Sequence, residues 1–229
     1  MKKYSEEELK GIIEWDIKTW EKCLEFFEEN IKLDKNFKCL EIGGRRGGMS
    51  LWLALNGCKD ILCTDYNDNK EIARKNHLNY QVDYIKYQQL DVLELNQENM
   101  YDIIIFKSVL GGVGYNNNKD AQIKAIANIY KALKPGGYLL FAENLVASKL
   151  HQYCRKKFIT WGIKWRYLPI NEIEEMTSKF RNKKFKYYGF FGTFGRNEKQ
   201  RKFLGNLDEK FDSFISKKNK YVVFGILEK

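Results

Sequence analysis

The residues best suited to chemistry form a glycine-rich run, Glu41-Ile42-Gly43-Gly44-Arg45-Arg46-Gly47-Gly48. Glycines let a backbone turn tightly and approach a ligand closely, because no Cβ atom intervenes. The run closes an apolar segment at 37–44 and precedes a helical pattern at 49–57, so it predicts a turn from strand to helix. Such a turn is typical of nucleotide-binding sites, although a plain tight turn has the same composition.

Two aspartates follow the next two apolar segments. Asp65 stands where an acidic side chain can bind two ribose hydroxyls. Asp91, with Val92 beside it, can accept a hydrogen bond from an adenine amino group. A surface carboxylate at Asp65 and a helix or turn cap at Asp91 are the structural alternatives.

These residues have to be positioned by an alternation of strands and helices. The apolar runs predict strands at 37–44, 60–67, 83–91, 101–108 and 138–144. Between them, helical patterns predict helices at 49–57, 69–80 and 119–137. Alternating units of this length indicate a parallel sheet covered by helices on both faces. Open parallel sheets bind ligands beyond the carboxyl ends of their strands, where the glycine run and both aspartates stand.

The flanking segments complete this architecture. Ser5 and Glu8 fit a capping box, followed by an apolar stripe that predicts one long or two shorter helices at 5–31. After residue 144 the patterns predict helices at 147–163 and 171–180, strands at 185–194 and 220–229, and a basic helical insert at 198–216. The predicted fold is thus α/β and Rossmann-like, with a seven-stranded, mostly parallel sheet and an antiparallel last strand.

Composition and charge narrow the class of protein. The chain has 229 residues, 44% of them hydrophobic, and no apolar run of about 18 residues, so we expect one domain without a transmembrane segment. The start turns acidic after two lysines, which does not fit a secretory signal. Five cysteines without a CxxC pair indicate reduced thiols in the cytoplasm and argue against a metal site.

The positive charge is concentrated in the last third of the chain. Residues 151–229 hold 19 Lys and Arg against 8 Asp and Glu, a net charge of +11, whereas residues 1–150 are nearly neutral. A solvated lysine-rich surface explains this distribution. An anionic substrate, nucleic acid or a peripheral contact with a membrane are the functional alternatives.

The motifs in this order resemble those of class I methyltransferases that use S-adenosylmethionine. The matching features are the run Leu40–Gly47, Asp65, Asp91-Val92, the strand Tyr101–Ile105 and Leu133-Lys134-Pro135-Gly136-Gly137. The resemblance covers residues 37–143 and implies a single domain. It would divide into a helical cap at 1–35, a cofactor-binding core at 36–146 and an acceptor side at 147–229.

The resemblance also implies cofactor contacts. Glu41 and Gly43 would lie near the methionine end, Gly47 against the cofactor, Asp65 at the ribose, and Asp91 with Val92 at the adenine. The full predicted set is Glu41, Gly43, Gly44, Arg45, Gly47, Asp65, Tyr66, Asp91, Val92, Lys107 and Ser108. Arg45 departs from the family, because it replaces the middle glycine of the motif. We expect it either to keep a negative φ or to leave the unusual geometry to Gly44.

A looser similarity concerns bacterial methyltransferases of surface-glycan pathways. It rests on Trp15-Asp16, Trp20, the run Gly47–Leu55 and Ala142-Glu143-Asn144-Leu145 with Ser148 and His151. It implies a saccharide or a nucleotide- or lipid-linked sugar as the acceptor. The predicted function is thus methylation of a small or carrier-linked acceptor, either a sugar hydroxyl or an amine. Lys107 could contact an anionic acceptor or the cofactor carboxylate.

The position of the catalytic base is less evident. A sugar hydroxyl needs a base within hydrogen-bond reach, yet the stretch 109–114 holds no titratable group. Glu143, at the end of the fifth strand, and His151 are the candidates, with a structural carboxylate and a partly buried helix residue as the alternatives. His77 is discounted, because the second crossover helix should lie far from the reaction face.

Three other functions remain open. A nicotinamide-dependent oxidoreductase would share the glycine turn, but Arg45 breaks its Gly-x-Gly-x-x-Gly pattern. An RNA methyltransferase is less favoured, because the motifs of exocyclic amino and carbon methylation are missing. A protein that binds S-adenosylmethionine without catalysis is consistent with the missing base.

Overall fold

The computed structural model describes residues 2–159 and 164–229. The described chain forms a seven-stranded sheet with helices packed against both faces. The strands are β1 (Lys38–Ile42), β2 (Asp60–Asp65), β3 (Lys86–Gln89), β4 (Tyr101–Lys107), β5 (Leu133–Asn144), β6 (Lys183–Tyr188) and β7 (Val222–Glu228). The helices are α1 (Glu6–Ile13), α2 (Ile17–Asn30), α3 (Gly48–Leu55), α4 (Lys70–Leu78), α5 (Leu110–Val113), α6 (Lys119–Ala132), α7 (Lys149–Phe158), α8 (Ile170–Met176) and α9 (Glu198–Phe211).

In the described part of the chain the strand order is β3-β2-β1-β4-β5-β7-β6, and only β7 runs antiparallel to its neighbours. β1 lies at the centre, with Leu40 paired to Leu62 on one side and to Ile104 on the other. The strand order reverses between β1 and β4, so their carboxyl ends flank a crevice. The predicted fold class is confirmed.

Alternate residues of the central strands enter two separate cores, because successive side chains of a strand point to opposite faces. Cys39 and Ile103 pack beneath α1, α2 and α3. Leu40 and Ile104 pack beneath α6 and α8. Glu41 therefore emerges on the face covered by the amino-terminal helices.

The amino-terminal segment forms two helices joined by a strained turn. Ser5 and Glu8 make the predicted capping box at α1. Glu14 has φ 74° and ψ −53°, and Trp15 N donates to Ile13 O across it at 3.0 Å, which makes Glu14 the centre of a γ-turn. Asp16 follows with φ 49° and begins α2. The chain thus reverses over three residues and stays close to the end of the sheet.

Several predicted elements have wrong boundaries. The helix predicted at 119–137 ends at Ala132, and the strand begins at Leu133, because the residue before Pro135 is driven out of the helical region. The strand predicted at 185–194 ends at Tyr188, because Gly189 turns with φ 75° and residues Gly192–Phe194 form a 3-10 helix. In the helix predicted at 147–163, α7 ends at Phe158, and residues 160–163 lie outside the described part of the chain.

Within the described ranges, no helix has the length and apolar character needed to cross a bilayer.

Candidate functional site

A cavity of about 570 Å³ opens at the carboxyl ends of β1 and β4. This volume lies within the range of about 300–1,000 Å³ that is typical of small-ligand sites. Six of the predicted cofactor residues line it: Glu41, Gly43, Gly44, Arg45, Lys107 and Ser108. The α1–α2 turn and the last third of the chain form the remaining walls.

Glu41 ends β1 and fixes the start of α3. Its Oε1 accepts from Met49 N at 3.0 Å, and its Oε2 accepts from Ser50 N at 2.8 Å. A carboxylate at a helix amino terminus satisfies N–H groups that have no partner within the helix, and it is attracted by the helix dipole. Glu41 therefore orients the glycine-rich turn rather than offering a free carboxylate.

The turn itself takes a conformation that the sequence did not predict. Arg45 adopts the left-handed region with φ 47°, as do Gly43 at 63° and Gly47 at 71°, whereas Gly44 does not. The expectation of a negative φ at Arg45, or of unusual geometry at Gly44, is therefore wrong. The Arg45 side chain is 68% exposed and reaches Glu14, with Nη1 and Oε1 3.4 Å apart. It lies at the rim of the cavity.

Two buried polar residues of α4 support this turn from below. Asn76 Nδ2 donates to both Arg46 O and Gly11 O at 3.0 Å. His77 Nε2 lies 2.7 Å from Gly47 O, and because a carbonyl only accepts, this nitrogen carries the proton. The discounted His77 thus contacts the site, although only as a support. The sequence feature that could have revealed this supporting role is the spacing of Ala73, Asn76 and His77, which puts two polar residues on the buried face of α4.

The residues predicted to hold the adenosine half lie beyond this cavity. Asp65 lines a narrow adjoining groove together with Arg45. Its Oδ2 accepts from Arg45 N at 2.8 Å, and its Oδ1 accepts from Asn67 N at 2.9 Å. Tyr66 is 66% exposed. Asp91 Oδ1 accepts from Leu93 N at 2.9 Å and caps a 3-10 helix that begins at the buried Val92.

Lys107, at the end of β4, is held by aromatic rings. Its Nζ lies 4.9 Å from the ring centre of Trp15 and 5.0 Å from that of Trp20. The two indoles meet edge to face, with ring centres 5.3 Å apart. Burial lowers the pKa of Lys107, whereas the nearby Glu14 and Asp16 oppose that shift. Lys107 is thus a sheltered cation in contact with two π-faces.

The segment after β4 is closed by a tryptophan. A Cβ atom at Gly111 would lie 1.4 Å from Trp165 Nε1, so only glycine lets the indole pack there. Trp165 lines the cavity beside Arg155 and Tyr167. Packing therefore excludes a titratable side chain at position 111.

Arg155, on α7, brings a second cation to the wall. Its Nη1 donates to Leu145 O at 2.7 Å and to Val146 O at 3.1 Å, and its Cζ lies 3.9 Å from the ring centre of Tyr167. Burial lowers its pKa. Neither Arg155 nor Lys107 has a carboxylate oxygen within 4.0 Å among the described residues.

Glu143 has a structural environment instead of the predicted catalytic one. It is fully buried and lies outside the lining of the cavity. Its Oε2 accepts from Val109 N and Leu110 N, both at 2.7 Å, and its Oε1 accepts from Asn144 N at 2.8 Å. With both oxygens engaged by backbone groups, the geometry argues against Glu143 as the base. Burial raises its pKa to about 7, and these N–H groups oppose the shift.

His151 is likewise engaged on both ring nitrogens. Its Nε2 donates to Phe190 O at 2.9 Å, and its Nδ1 lies 2.6 Å from the Ser148 hydroxyl, which donates to it. The ring packs against Phe190, Phe194 and Tyr221 and lies outside the lining of the cavity. Burial lowers the pKa of His151 to about 4. This arrangement also argues against a catalytic role.

Sequence reasoning used Asp16 only in the Trp15-Asp16 similarity and gave it no role at the site, whereas the structure buries it at the edge of the cavity. The residue is 1% exposed and lines the cavity beside Trp15. Its Oδ2 accepts from Tyr221 Oη at 2.6 Å. Its position before α2 reads as an ordinary helix cap, and Tyr221 is too distant in sequence for a local pattern to connect the two.

We expect Glu143→Gln to lower the free energy of unfolding by about 1–3 kcal/mol, because the amide nitrogen of glutamine would face a backbone N–H group. Urea unfolding measures this change. Glu175→Gln, which removes a surface partner of Lys119, is the control and should change it by less than about 1 kcal/mol. A free energy of unfolding of Glu143→Gln equal to that of wild type would contradict the structural role of Glu143.

We expect the stability difference between wild type and His151→Asn to shrink as the pH falls. The folded-state pKa of His151, about 4, lies below the unfolded value near 6.5. Its contribution is therefore complete above about pH 6.5 and is lost toward pH 4, by at most about 1.4 kcal/mol per pH unit. Urea unfolding at pH 7, 6 and 5 measures this trend.

Gln152→Ala, on the exposed side of the same helix, is the matched control and should differ from wild type by an amount independent of pH. A pH-independent difference for His151→Asn would contradict the lowered pKa.

Several solved structures share the fold of this chain. Phosphoethanolamine N-methyltransferase 2 from Haemonchus contortus, in complex with S-adenosyl-L-methionine, has a TM-score of 0.64 and 17% identity, over 92% of this chain and 52% of that one. An S-adenosylmethionine-dependent methyltransferase from Archaeoglobus fulgidus has a TM-score of 0.62 and 13% identity, over 91% and 94%. The N-methyltransferase NodS from Bradyrhizobium japonicum WM9 has a TM-score of 0.59 and 16% identity, over 91% and 86%. At these identities the likeness concerns the fold alone.

A relative and a family model match parts of this amino-acid sequence. Squalestatin tetraketide synthase clz2 from Cochliobolus lunatus is 28% identical over 140 residues, which cover 54% of this chain but 5% of that protein. This chain therefore spans a small part of that relative, and about half of the Haemonchus enzyme. A family model described as a methyltransferase domain matches residues 13–190. Because this match covers most of the chain, the chain belongs to the methyltransferase domain family, whose methyl donor is S-adenosylmethionine.

Proposed function

We propose that this protein transfers a methyl group from S-adenosylmethionine to a small acceptor that carries an anionic group near a hydroxyl or an amine. The observation that carries the proposal is the cavity. It joins predicted cofactor residues at the ends of β1 and β4 to Lys107 and Arg155, two cations that lack a carboxylate partner among the described residues.

The residues at the sheet edge fit the cofactor. Gly43 and Gly44 line the cavity without side chains, so a ligand can lie against their backbone. Lys107, at the end of β4, would attract the cofactor carboxylate. Asp65 would bind the ribose hydroxyls from the adjoining groove, and Arg45 lines both spaces. The adenine would extend toward Tyr66, Asp91 and Val92.

The acceptor would lie on the side of Arg155. A guanidinium group that is stacked on Tyr167 and held by two backbone carbonyls is already oriented, so little conformational freedom is lost when it binds an anion. Phosphate and carboxylate groups match its fork of donors. Trp165 and Ile159 add apolar surface for the rest of the molecule.

Both acceptor chemistries that the sequence predicts remain within this proposal. A sugar hydroxyl, free or carrier-linked, would agree with the similarity to methyltransferases of surface-glycan pathways. An amine would agree with the amine acceptor named for the Haemonchus enzyme. Both are compatible with an anionic group held by Arg155.

The three segments predicted from the sequence supply different parts of this site. Trp15 comes from the cap at 1–35, Glu41 and Lys107 from the core at 36–146, and Arg155 from the acceptor side at 147–229. We propose this division of roles within one domain.

The mechanism follows from positioning. S-adenosylmethionine, when bound, would supply an electrophilic methyl group on a sulfonium, and the acceptor atom would have to lie in line with the carbon–sulfur bond. Glu41 keeps the glycine-rich turn in place, and Arg155 fixes the acceptor by its anionic group. Holding the two reacting atoms in line accounts for much of the rate of such a displacement.

Calorimetric titration with S-adenosylmethionine, S-adenosylhomocysteine and NAD tests the cofactor. We expect both adenosyl ligands to bind and NAD not to bind. Asp65→Ala should weaken adenosyl binding about 10-fold or more, since a carboxylate hydrogen bond contributes about 1.5–3 kcal/mol.

Asp60→Ala, at the opposite end of the same strand, is the matched control and should bind like wild type. Binding of NAD without either adenosyl ligand would refute the proposal and favour an oxidoreductase.

Paired acceptor probes test the anionic group. We expect phosphoethanolamine and glucose 1-phosphate to be methylated faster than ethanolamine and glucose, with S-adenosylhomocysteine formation as the measurement. Arg155→Gln should raise KM for the phosphate probes about 10- to 100-fold, because a charged hydrogen bond is lost. The KM of Arg155→Lys for these probes should lie between those of wild type and Arg155→Gln.

Arg74→Gln, an exposed arginine on α4, removes the same charge away from the cavity and should leave KM unchanged. Equal rates within each pair of probes would contradict an anionic acceptor. Methylation of RNA without methylation of any of the four small probes would favour RNA as the acceptor.

A further inference from the structure

Asp16 stands apart from the other carboxylates around the cavity, because it is buried while one of its oxygens has no protein partner. Tyr221 Oη donates to Oδ2 at 2.6 Å and lies 2.8 Å from Thr19 Oγ1. Oδ1 is buried, and no hydrogen-bond partner for it exists within the described part of the chain. A buried polar atom without a partner costs free energy, so it calls for an explanation in terms of a ligand or a function.

The backbone holds Asp16 in this place. Its left-handed φ of 49° is unfavourable for a residue with a side chain. Glu198, on α9, accepts from Asp16 N at 2.9 Å and from Ile17 N at 3.2 Å, which secures the turn. Strain of this kind persists where surrounding contacts impose it, and it is concentrated at functional sites.

The other two carboxylates that line the cavity have different surroundings: Glu41 is paired on both oxygens, and Glu14 is partly exposed beside two arginines. Both oxygens of Glu41 accept from the start of α3. Glu14 lies within 3.4 Å of Arg45 and 3.9 Å of Arg46. Among the lining carboxylates, Asp16 is therefore the one that the described structure both buries and leaves with an unpartnered oxygen.

Charged groups on several elements face Asp16. Lys107 comes from β4, Arg201 and Glu198 from α9, and the Tyr221 hydroxyl from the residue before β7. Burial raises the pKa of Asp16 to about 7, whereas the Tyr221 hydrogen bond and the charge of Arg201 oppose the shift. A base with a pKa near the working pH transfers protons efficiently.

We propose that Asp16 is the general base of the methyl transfer and that Tyr221 positions it. Asp16 Oδ1 accepts the proton from the hydroxyl or ammonium group of the acceptor. The inference rests on the proposed function and assigns the base that the segment after β4 lacks.

A bond forms between the acceptor oxygen or nitrogen and the methyl carbon, while the carbon–sulfur bond breaks and its electron pair stays on sulfur. The acceptor proton moves to Asp16 Oδ1 and passes to water after the product leaves. No oxidant, reductant or metal is needed.

The first test uses the free protein. The carboxyl-carbon NMR resonance of Asp16, assigned by its absence in Asp16→Asn, should titrate near pH 7. Tyr221→Phe should move this titration to higher pH, because the Tyr221 hydrogen bond favours the charged carboxylate. A midpoint below pH 5 in wild type would overturn the proposal.

The second test measures proton release on cofactor binding, by calorimetry in buffers of different ionisation enthalpy. The sulfonium charge should favour the ionised Asp16, so S-adenosylmethionine should release up to about half a proton more than S-adenosylhomocysteine at pH 7. Asp16→Asn should abolish this difference. An unchanged difference in Asp16→Asn would overturn the proposal, whereas a failure of either ligand to bind would refute the proposed function instead.

The third test is kinetic and uses the four acceptor probes named above. Wild-type kcat/KM should rise with pH up to about 7, and Asp16→Asn should lose this rise together with about 100- to 10,000-fold in rate, the usual contribution of a general base. Glu21→Gln, on the same helix and paired with Lys18, is the matched control and should retain both the rise and the rate. A variant Asp16→Asn that keeps the wild-type profile would overturn the proposal.

Discussion

Hydrogen bonds from backbone N–H groups to buried carboxylates hold the loops around the cavity. Glu41 fixes the start of α3, Glu143 fixes the segment after β4, and Asp208 accepts from the three consecutive N–H groups of residues 190–192. A buried charge is tolerated when several donors surround it, and charged hydrogen bonds are among the strongest in proteins. The walls of the cavity are therefore fixed from inside the protein, independently of any ligand.

Strained backbone is found at the same place. Glu14, Asp16, Arg45 and Ser108 all have positive φ, and all four line the cavity. Each non-glycine residue in the left-handed region costs about 1–2 kcal/mol, so these conformations depend on the contacts that surround them. Asp16 combines this strain with an unpartnered oxygen, which distinguishes it from the three carboxylates that only organise loops.

The sheet could be predicted from the sequence because its signals are local. The run Ile103–Phe106 is apolar throughout, and the glycine-rich turn follows β1 directly. The same local signals placed β5 too late, since Pro135 and two glycines read as the end of a helix although the strand begins at Leu133. Six of the predicted cofactor residues line one cavity, because the carboxyl ends of β1 and β4 are adjacent in the sheet.

The roles of single polar residues could not be predicted in the same way. Glu143 and His151 stand near the active end of the sheet, but whether their polar atoms face a ligand depends on donors and acceptors that distant loops bring. Asp16 depends on Tyr221, 205 residues away. His77 reaches the glycine-rich turn only because α4 packs beneath it. The spacing of such residues in the sequence indicates that they lie near the edge of the sheet, but it does not determine their hydrogen-bond partners.

The two indoles around Lys107 affect how the electrostatic attraction of this residue responds to ionic strength. Mobile ions screen exposed charges over about 8–10 Å, but they have little access to a charge that is covered by ring faces. The attraction that Lys107 exerts on an anion inside the cavity should thus persist at high salt. The same salt concentration would screen the attraction exerted by the exposed lysines in the last third of the chain. Its field is a local property of the binding site, distinct from the overall basic character of the protein.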